Sequence, residues 1–385
     1  MKKPFALDKE HSKTVAAAKS TSQNNKRPKK EILVLFYNKA MTAQLAIDAI
    51  TDIIERNGRP IMDNAIDQVM NSEFDAGLVS SAIKYHVKFL GKVLPVFPAL
   101  TKLSYDAAGG RAPEELNGIG SALTLFVEAA NMHDDVIDQT LSKHNRKTAY
   151  GKYGKDISIL AGDILLVQAS LFLSKACEQL PLEKKETVIR LTLKALAKIS
   201  DSAAKEAHMR RKLDTQPKNY LEVVRLRATV LEIHCMIGGL LGGATESMVS
   251  CLGEYGKNYG ILGTIADEFM DLFDYQKFTS RLSNETVPLP VLCALQDSSI
   301  KNSILPLVSN FELSGKNYEI LVKLVMSSAK VKKLVFYTEM LSDKSIRNIN
   351  KCLNESEARR NLSTLPKILQ NLLSNLEEFT SQILE

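Results

Sequence analysis

Two groups of acidic residues stand inside stretches that are otherwise apolar. The first is Asp134, Asp135 and Asp138, and it follows Leu123, Leu125, Phe126, Val127, Ala129 and Ala130. Positions 134 and 138 are four apart, so on a helix their carboxylates share one face, with Asp135 within reach of the same point. The second is Asp267, Glu268 and Asp271, which repeats the i, i+1, i+4 spacing and adds Asp274 a turn later. Like charges so spaced repel, and carboxylates in a low-dielectric interior cost several kcal/mol each unless a cation compensates them. A donor set of oxygens alone favours a hard ion. Mg²⁺, which takes a carboxylate or two together with phosphate oxygens and water, fits it better than Zn²⁺. No EF-hand loop of alternating acids and glycine is present, and six crowded acids are a poor match to the two differently tuned carboxyls of a glycosidase.

The elements that must hold these groups read as helices. Ile32, Phe36, Ala40, Ala43, Ile47, Ile50 and Ile54 recur at steps of three and four over 31–57, and Gly58 and Pro60 are expected to stop that run. A second stretch runs from Ser72 through Phe74, Leu78, Ile83, Val87 and Leu90 to Pro95. Pro113, Glu114 and Glu115 form the first turn of a helix that reaches about Asp138. Further helices are expected at 157–178, 182–211, 217–247, 250–275, 286–297, 315–341 and 366–383. No run of period two bounded by hairpin turns suggests a strand. The fold class is all-α, a large single-domain helical bundle with a central apolar cavity, spanning 31–385.

The chain has 385 residues, 45% of them hydrophobic and 24% charged. That balance is globular and large enough to bury a core without disulfides. Five cysteines without metal-site spacing point to a reducing, cytoplasmic setting. The net charge of +6 is uneven: residues 1–30 carry a net +7, leaving −1 for the remainder. The body is therefore no nucleic-acid binder. The tail, rich in Ser, Asn, Gln and Ala and without an apolar core, is expected to be disordered, with at most weak contact to an anionic membrane surface. No uninterrupted apolar run is long enough to span a bilayer.

Asp134, Asp135 and Asp138, the segment Gly151 to Asp163, and Asp267, Glu268 and Asp271 together resemble the trans-isoprenyl diphosphate synthase (polyprenyl synthetase) family. The segments from Arg281 to Pro290 and from Ala358 to Pro366 continue the resemblance, the former being similar to archaeal-type members, so that it covers roughly residues 31–383. The resemblance implies a prenyltransferase that condenses an allylic diphosphate with isopentenyl diphosphate. It also implies that Asp134, Asp135, Asp138, Asp267, Glu268 and Asp271 hold three Mg²⁺ ions on the diphosphate of the allylic substrate. In this chemistry cationic groups stabilise the departing diphosphate and an apolar tunnel keeps water out. Arg227 stands where the family usually has Lys and would bind the allylic diphosphate as a forked donor.

Departures fall mostly on the acceptor side. Gly91, Lys92, Val93, Leu94 and Pro95 keep the lysine of the usual Gly-Lys-Arg segment and lose its arginine. Lys143 and His144, with Arg146 nearby, stand where an Arg-Arg pair is usual. Lys92, Lys143 and Arg146 are therefore the expected contacts to isopentenyl diphosphate, held more weakly than the allylic substrate. Below the first acidic group, Ala130, Ala129 and Phe126 would line the tunnel, and Phe126, the first bulky group, would stop the product near C20. His133 is expected to pack under the site. Gly162 and Asp163 are read as structural, the former at a helix end, and His86, His208 and His234 are given no role. Arg210 and Arg211 are expected to pair with Glu206 along their own helix. The resemblance also implies a homodimer or a heterodimer with another synthase subunit. Two alternatives follow from the missing basic residues: a catalytically weak partner subunit of an active synthase, or a terpene synthase-like enzyme that ionises a prenyl diphosphate without an acceptor.

Overall fold

The computed structural model describes residues 28–72, 77–309, 311 and 313–376. The basic tail up to residue 27, Phe74, and the part of the last expected helix beyond 376 lie outside them. Among the described residues the chain is all-α. The helices are α1 (Pro28–Met70), α2 (Leu78–Lys88), α3 (Val96–Ala107), α4 (Pro113–Ile137), α5 (Ala149–Tyr153), α6 (Lys155–Ala176), α7 (Leu182–His208) and α8 (Pro217–Arg227). They continue as α9 (Thr229–Leu241), α10 (Glu246–Phe273), α11 (Tyr275–Asn284), α12 (Leu289–Ala294), α13 (Lys301–Val308), α14 (Gly315–Ser327), α15 (Ala329–Cys352) and α16 (Glu357–Ser374). A 3-10 turn, Phe89–Lys92, follows α2.

Several boundaries depart from the sequence expectation, each for a local reason. α1 runs through Gly58 and Pro60. A side chain at 58 would meet the Pro95 carbonyl oxygen at 2.3 Å, so glycine is there for close approach to the start of α3 and not to end the helix. The stretch 315–341 divides because the Ser328 hydroxyl caps α15 by accepting from Lys330 N at 3.2 Å. α16 begins at the Ser356 cap and carries Pro366 inside it. One antiparallel pair of strands, β1 (Ser142–Lys143) and β2 (Arg146–Lys147), was not foreseen. Each is two residues long, too short to show a period, and both turn residues, His144 and Asn145, have positive φ (52° and 55°). Gly162 lies in the middle of α6 and not at a helix end.

Long helices cross a divided core. One apolar cluster joins α1, α2, α4, α6, α7 and α9 around Leu116, Leu125, Phe126, Leu165 and Ile237. The other joins α1, α3 and α8 to α16 around Leu100, Tyr255, Phe269, Leu292 and Leu365. α4 and α10, which carry the acidic groups, therefore lie in separate halves of the packing, with α9 contributing to both. α6 contains a window of mean hydropathy 1.8, long and apolar enough to cross a membrane by length and composition alone. In the structure it packs along α4 through Ala161, Leu165 and Ala169 and leaves Leu160, Val167 and Leu171 exposed.

Candidate active site

Asp134 and Asp135 occupy the last turn of α4 and are buried, while Asp138 terminates the helix, its N–H donating to the Asp134 carbonyl at 2.8 Å. Each outer carboxylate meets a basic group from another element. Lys143, on β1, pairs with Asp135. Arg210, just past the end of α7, brings Nη2 to 2.5 Å from Asp138 Oδ1. The hairpin is held against α2 by Arg146, which donates to the Tyr85 carbonyl and lies 3.7 Å from the Tyr85 ring centroid and 4.7 Å from that of Phe89. His133, expected to pack under the site, instead makes a solvent-exposed contact, its Nε2 3.0 Å from Asp163 Oδ1. A Cβ at Gly162 would fall 2.6 Å from that same ring nitrogen, so the glycine makes room for the imidazole.

The second group is on α10. Glu268, 1% exposed, is the hub of a buried network: Oε1 accepts from Tyr220 Oη and Arg281 Nη2, both at 2.9 Å, and Oε2 accepts from Leu289 N and Arg281 Nη2, both also at 2.9 Å. Arg281 Nη1 then reaches Asp271 Oδ2 at 3.0 Å. The Tyr220 hydroxyl also lies 3.3 Å from Glu206 Oε1, and Glu206 pairs with Arg227. Burial works against the charge on both arginines. The carboxylates around them prevail, chiefly Glu206 for Arg227 and Glu268 for Arg281, and hold both guanidinium groups above their ordinary pKa. Arg227 feels the charge of Asp138 as well as that of Glu268. Asp271 joins this network through Arg281, while Asp138, paired with Arg210, is linked to it through its charge on Arg227.

Behind the α4 cluster is an apolar pocket lined by Leu123, Phe126 and Val127 on α4, Thr192, Leu196 and Ile199 on α7, and Val230 and His234 on α9. It encloses about 20 Å³, room for about one water. His234 is buried in its wall, its Nδ1 2.9 Å from Thr101 Oγ1. The Thr101 hydroxyl donates to the Phe97 carbonyl at 3.0 Å, so Nδ1 of the imidazole carries the proton and donates to Thr101. Burial pushes the His234 pKa down to about 3, leaving the ring neutral.

Five further residue assignments change. Glu268, expected to bind metal, has both oxygens committed to Arg281, Tyr220 and Leu289. Arg146, expected to bind isopentenyl diphosphate, is engaged in clamping the hairpin to α2, and Lys143 is engaged with Asp135. Ala129 is fully buried and lies outside the pocket lining, whereas Val127 and Leu123 belong to it. Arg210 leaves its own helix to meet Asp138, because Glu206 is taken by Arg227. Phe126 does line the pocket; Ala130 packs beside Val127, Ile199 and Val230; Lys92 ends the 3-10 turn and is exposed. Tyr220 and Arg281 were not expected as partners, and Glu206 was expected to pair with Arg210 and Arg211 and not with Arg227; the helices that carry them are polar, so no local pattern marked the network. His86, given no role, is a half-buried partner of Glu128 at 2.9 Å.

Among the described residues no three His, Cys, Asp or Glu side chains are gathered into a site that would hold a metal ion by themselves. The residues present still fit Mg²⁺ as a partner of a bound diphosphate. Asp134, Asp138, Asp267 and Asp271 offer oxygen donors only, and Mg²⁺ is usually held by one or two carboxylates, with waters and substrate phosphates completing the shell. Arg227 Nη1 is buried without a hydrogen-bond partner, and such a donor calls for an acceptor that a diphosphate oxygen would provide.

Residues 77–317 match the family model for polyprenyl synthetase. The chain is 26% identical to geranylgeranyl diphosphate synthase of Sulfolobus acidocaldarius over 338 residues, covering 83% of this chain and 97% of that one. It is 22% identical to heptaprenyl diphosphate synthase component 2 of Bacillus subtilis, over 86% of this chain and 90% of that one. Its fold is similar to the crystal structure of geranylgeranyl pyrophosphate synthetase from Pyrococcus horikoshii, with a TM-score of 0.72 at 22% identity, covering 84% of this chain and 98% of that one.

Proposed function

Because the chain belongs to the polyprenyl synthetase family and is an isoprenyl diphosphate synthase, we propose that it elongates an allylic diphosphate with isopentenyl diphosphate to a product near C20. The observation that carries this reading is that Asp138 pairs with Arg210, Asp271 pairs with Arg281, and Arg227, which feels the charge of both Asp138 and Glu268, keeps an unpartnered buried donor. That arrangement suits a diphosphate lying between the two acidic groups.

A divalent cation, held by Asp134, Asp138, Asp267 and Asp271 with the diphosphate oxygens, would supply positive charge to the departing diphosphate. Arg227 adds a fixed donor to the same group, held in place by Glu206. The allylic C–O bond breaks as diphosphate leaves, the double bond of isopentenyl diphosphate forms the new C–C bond to the allylic carbon, and a proton is then lost from the adduct. The prenyl chain enters between α4, α7 and α9, displacing the side chains that now fill the pocket, so that Leu123, Phe126 and Val127 set its depth. A neutral His234 in that wall presents no acid to a cationic carbon. Lys92 is the acceptor-side group that no other ion pair claims in this reading. Elution of a labelled C20 diphosphate after incubation with Mg²⁺, labelled isopentenyl diphosphate and farnesyl diphosphate tests the whole reading.

The exposed row Leu160, Val167 and Leu171 on α6, continued by Leu182, Ile189 and Leu193 on α7, supports pairing with a second synthase chain. The relative named as a component fits either a like or an unlike partner. We place the protein in the cytoplasm.

A further inference from the structure

Two adjacent residues of α1, Gly58 and Arg59, hold the segment Leu90–Pro95 at both ends. Arg59 donates from Nη1 to the Leu90 carbonyl at 3.1 Å and from Nη2 to the Val93 carbonyl at 2.7 Å. Its guanidinium is aimed by Glu55 one turn earlier, through Nε and Nη2, both at 2.8 Å. The two carbonyls bracket Gly91 and Lys92, and Val93 N donates back to Leu90 O at 3.0 Å. Gly58 lets the α1 backbone touch the far end of the segment, since a Cβ there would lie 2.3 Å from Pro95 O and 2.9 Å from Ala99 N. Leu90 and Val93 are buried while Lys92 is exposed between them.

We infer that Arg59, oriented by Glu55, is a positioning residue for the acceptor diphosphate, fixing the turn that presents Lys92. The inference rests on the proposed reading that Lys92 contacts isopentenyl diphosphate. A lysine on an unrestrained turn would have to be ordered at each binding event, which weakens binding. A guanidinium fork fixes two carbonyls at a set separation, which the single ammonium of lysine does less well. The chain has no arginine in the segment itself, so the ordering comes from α1.

The test measures acceptor binding by isothermal titration with isopentenyl diphosphate and Mg²⁺, together with steady-state kinetics for both substrates, in wild type, Arg59→Gln, Arg59→Lys and Glu55→Gln. Arg59→Gln should raise Kd and KM for isopentenyl diphosphate about tenfold and leave the allylic KM and the kcat at saturating acceptor within about twofold. Arg59→Lys should recover part of the loss, and Glu55→Gln should show a smaller loss of the same kind. Unchanged acceptor affinity in a folded Arg59→Gln, or equal rises in both KM values, would overturn the inference and leave the proposed reaction standing. A wild type that binds no isopentenyl diphosphate would remove the acceptor reading and this inference with it. If Arg59→Gln does not fold, Arg59→Lys and Glu55→Gln carry the same comparison, and acceptor affinities equal to wild type in both would overturn it.

Discussion

Arg210 Nη2 lies 2.5 Å from Asp138 Oδ1 although the two are 72 positions apart, so a carboxylate assigned to a cation is already neutralised by the protein. Arg210 therefore competes with metal for Asp138 until a diphosphate draws both. Arg210→Gln should bind Mn²⁺ several-fold more tightly in the absence of diphosphate and raise the allylic KM several-fold, because one charge-assisted contact to the diphosphate is lost. Electron paramagnetic resonance titration of free Mn²⁺ measures the first effect and initial rates the second.

Glu268 is enclosed in a buried network, whereas its neighbour Asp267 is half-buried and is proposed to hold the cation. Glu268→Gln breaks a pair with Arg281 that is almost wholly enclosed, and removing one partner of such a pair costs about 3–5 kcal/mol. Calorimetry should show a Tm lower by about 5 °C. Asp267→Ala should keep the wild-type Tm and lose Mg²⁺-dependent turnover.

His234 predicts an acid limb in stability. Its folded pKa, about 3, is below the roughly 6.5 of an exposed histidine. Between those values the unfolded chain binds a proton that the folded chain does not. Stability contributed by the neutral ring is thus present above pH 6.5 and is lost progressively as pH falls towards 3, with a slope approaching about 1.4 kcal/mol per unit. His234→Phe should flatten this limb in urea unfolding measured at pH 4, 5, 6 and 7.

Phe126 and Val127 border the same pocket from α4. Phe126→Ala should lengthen the product beyond C20, and Val127→Phe should shorten it towards C15, as read by chromatography of dephosphorylated products. Ala129→Phe should instead lower Tm by overpacking the core, since Ala129 is fully buried away from that lining.

The helices and the paired acids were legible because both are periodic: Asp134 and Asp138 interrupt an apolar face at helical spacing, and so do Asp267 and Asp271. Glu268 was not, because a step of one residue turns a helix by about 100°, which puts its carboxylate where Tyr220 and Arg281 arrive, 48 and 13 positions away. Arg210 misled for a related reason. Its spacing from Glu206 fits an intrahelical pair, but each found a partner brought in by tertiary packing. Gly58 and Pro60 are local stop signals, and only the approach of Pro95 shows that the glycine serves contact between helices.

In the proposed reaction the acids of α4 and those of α10 act together on one allylic diphosphate, with isopentenyl diphosphate as acceptor. Radiolabelled isopentenyl diphosphate, farnesyl diphosphate and Mg²⁺ incubated with wild type, Asp134→Ala and Asp267→Ala measure it directly. Wild type alone should yield a labelled C20 diphosphate, abolished by EDTA and lost about equally in both variants. Label that stays in isopentenyl diphosphate with folded wild type, or full turnover in either variant, would contradict it.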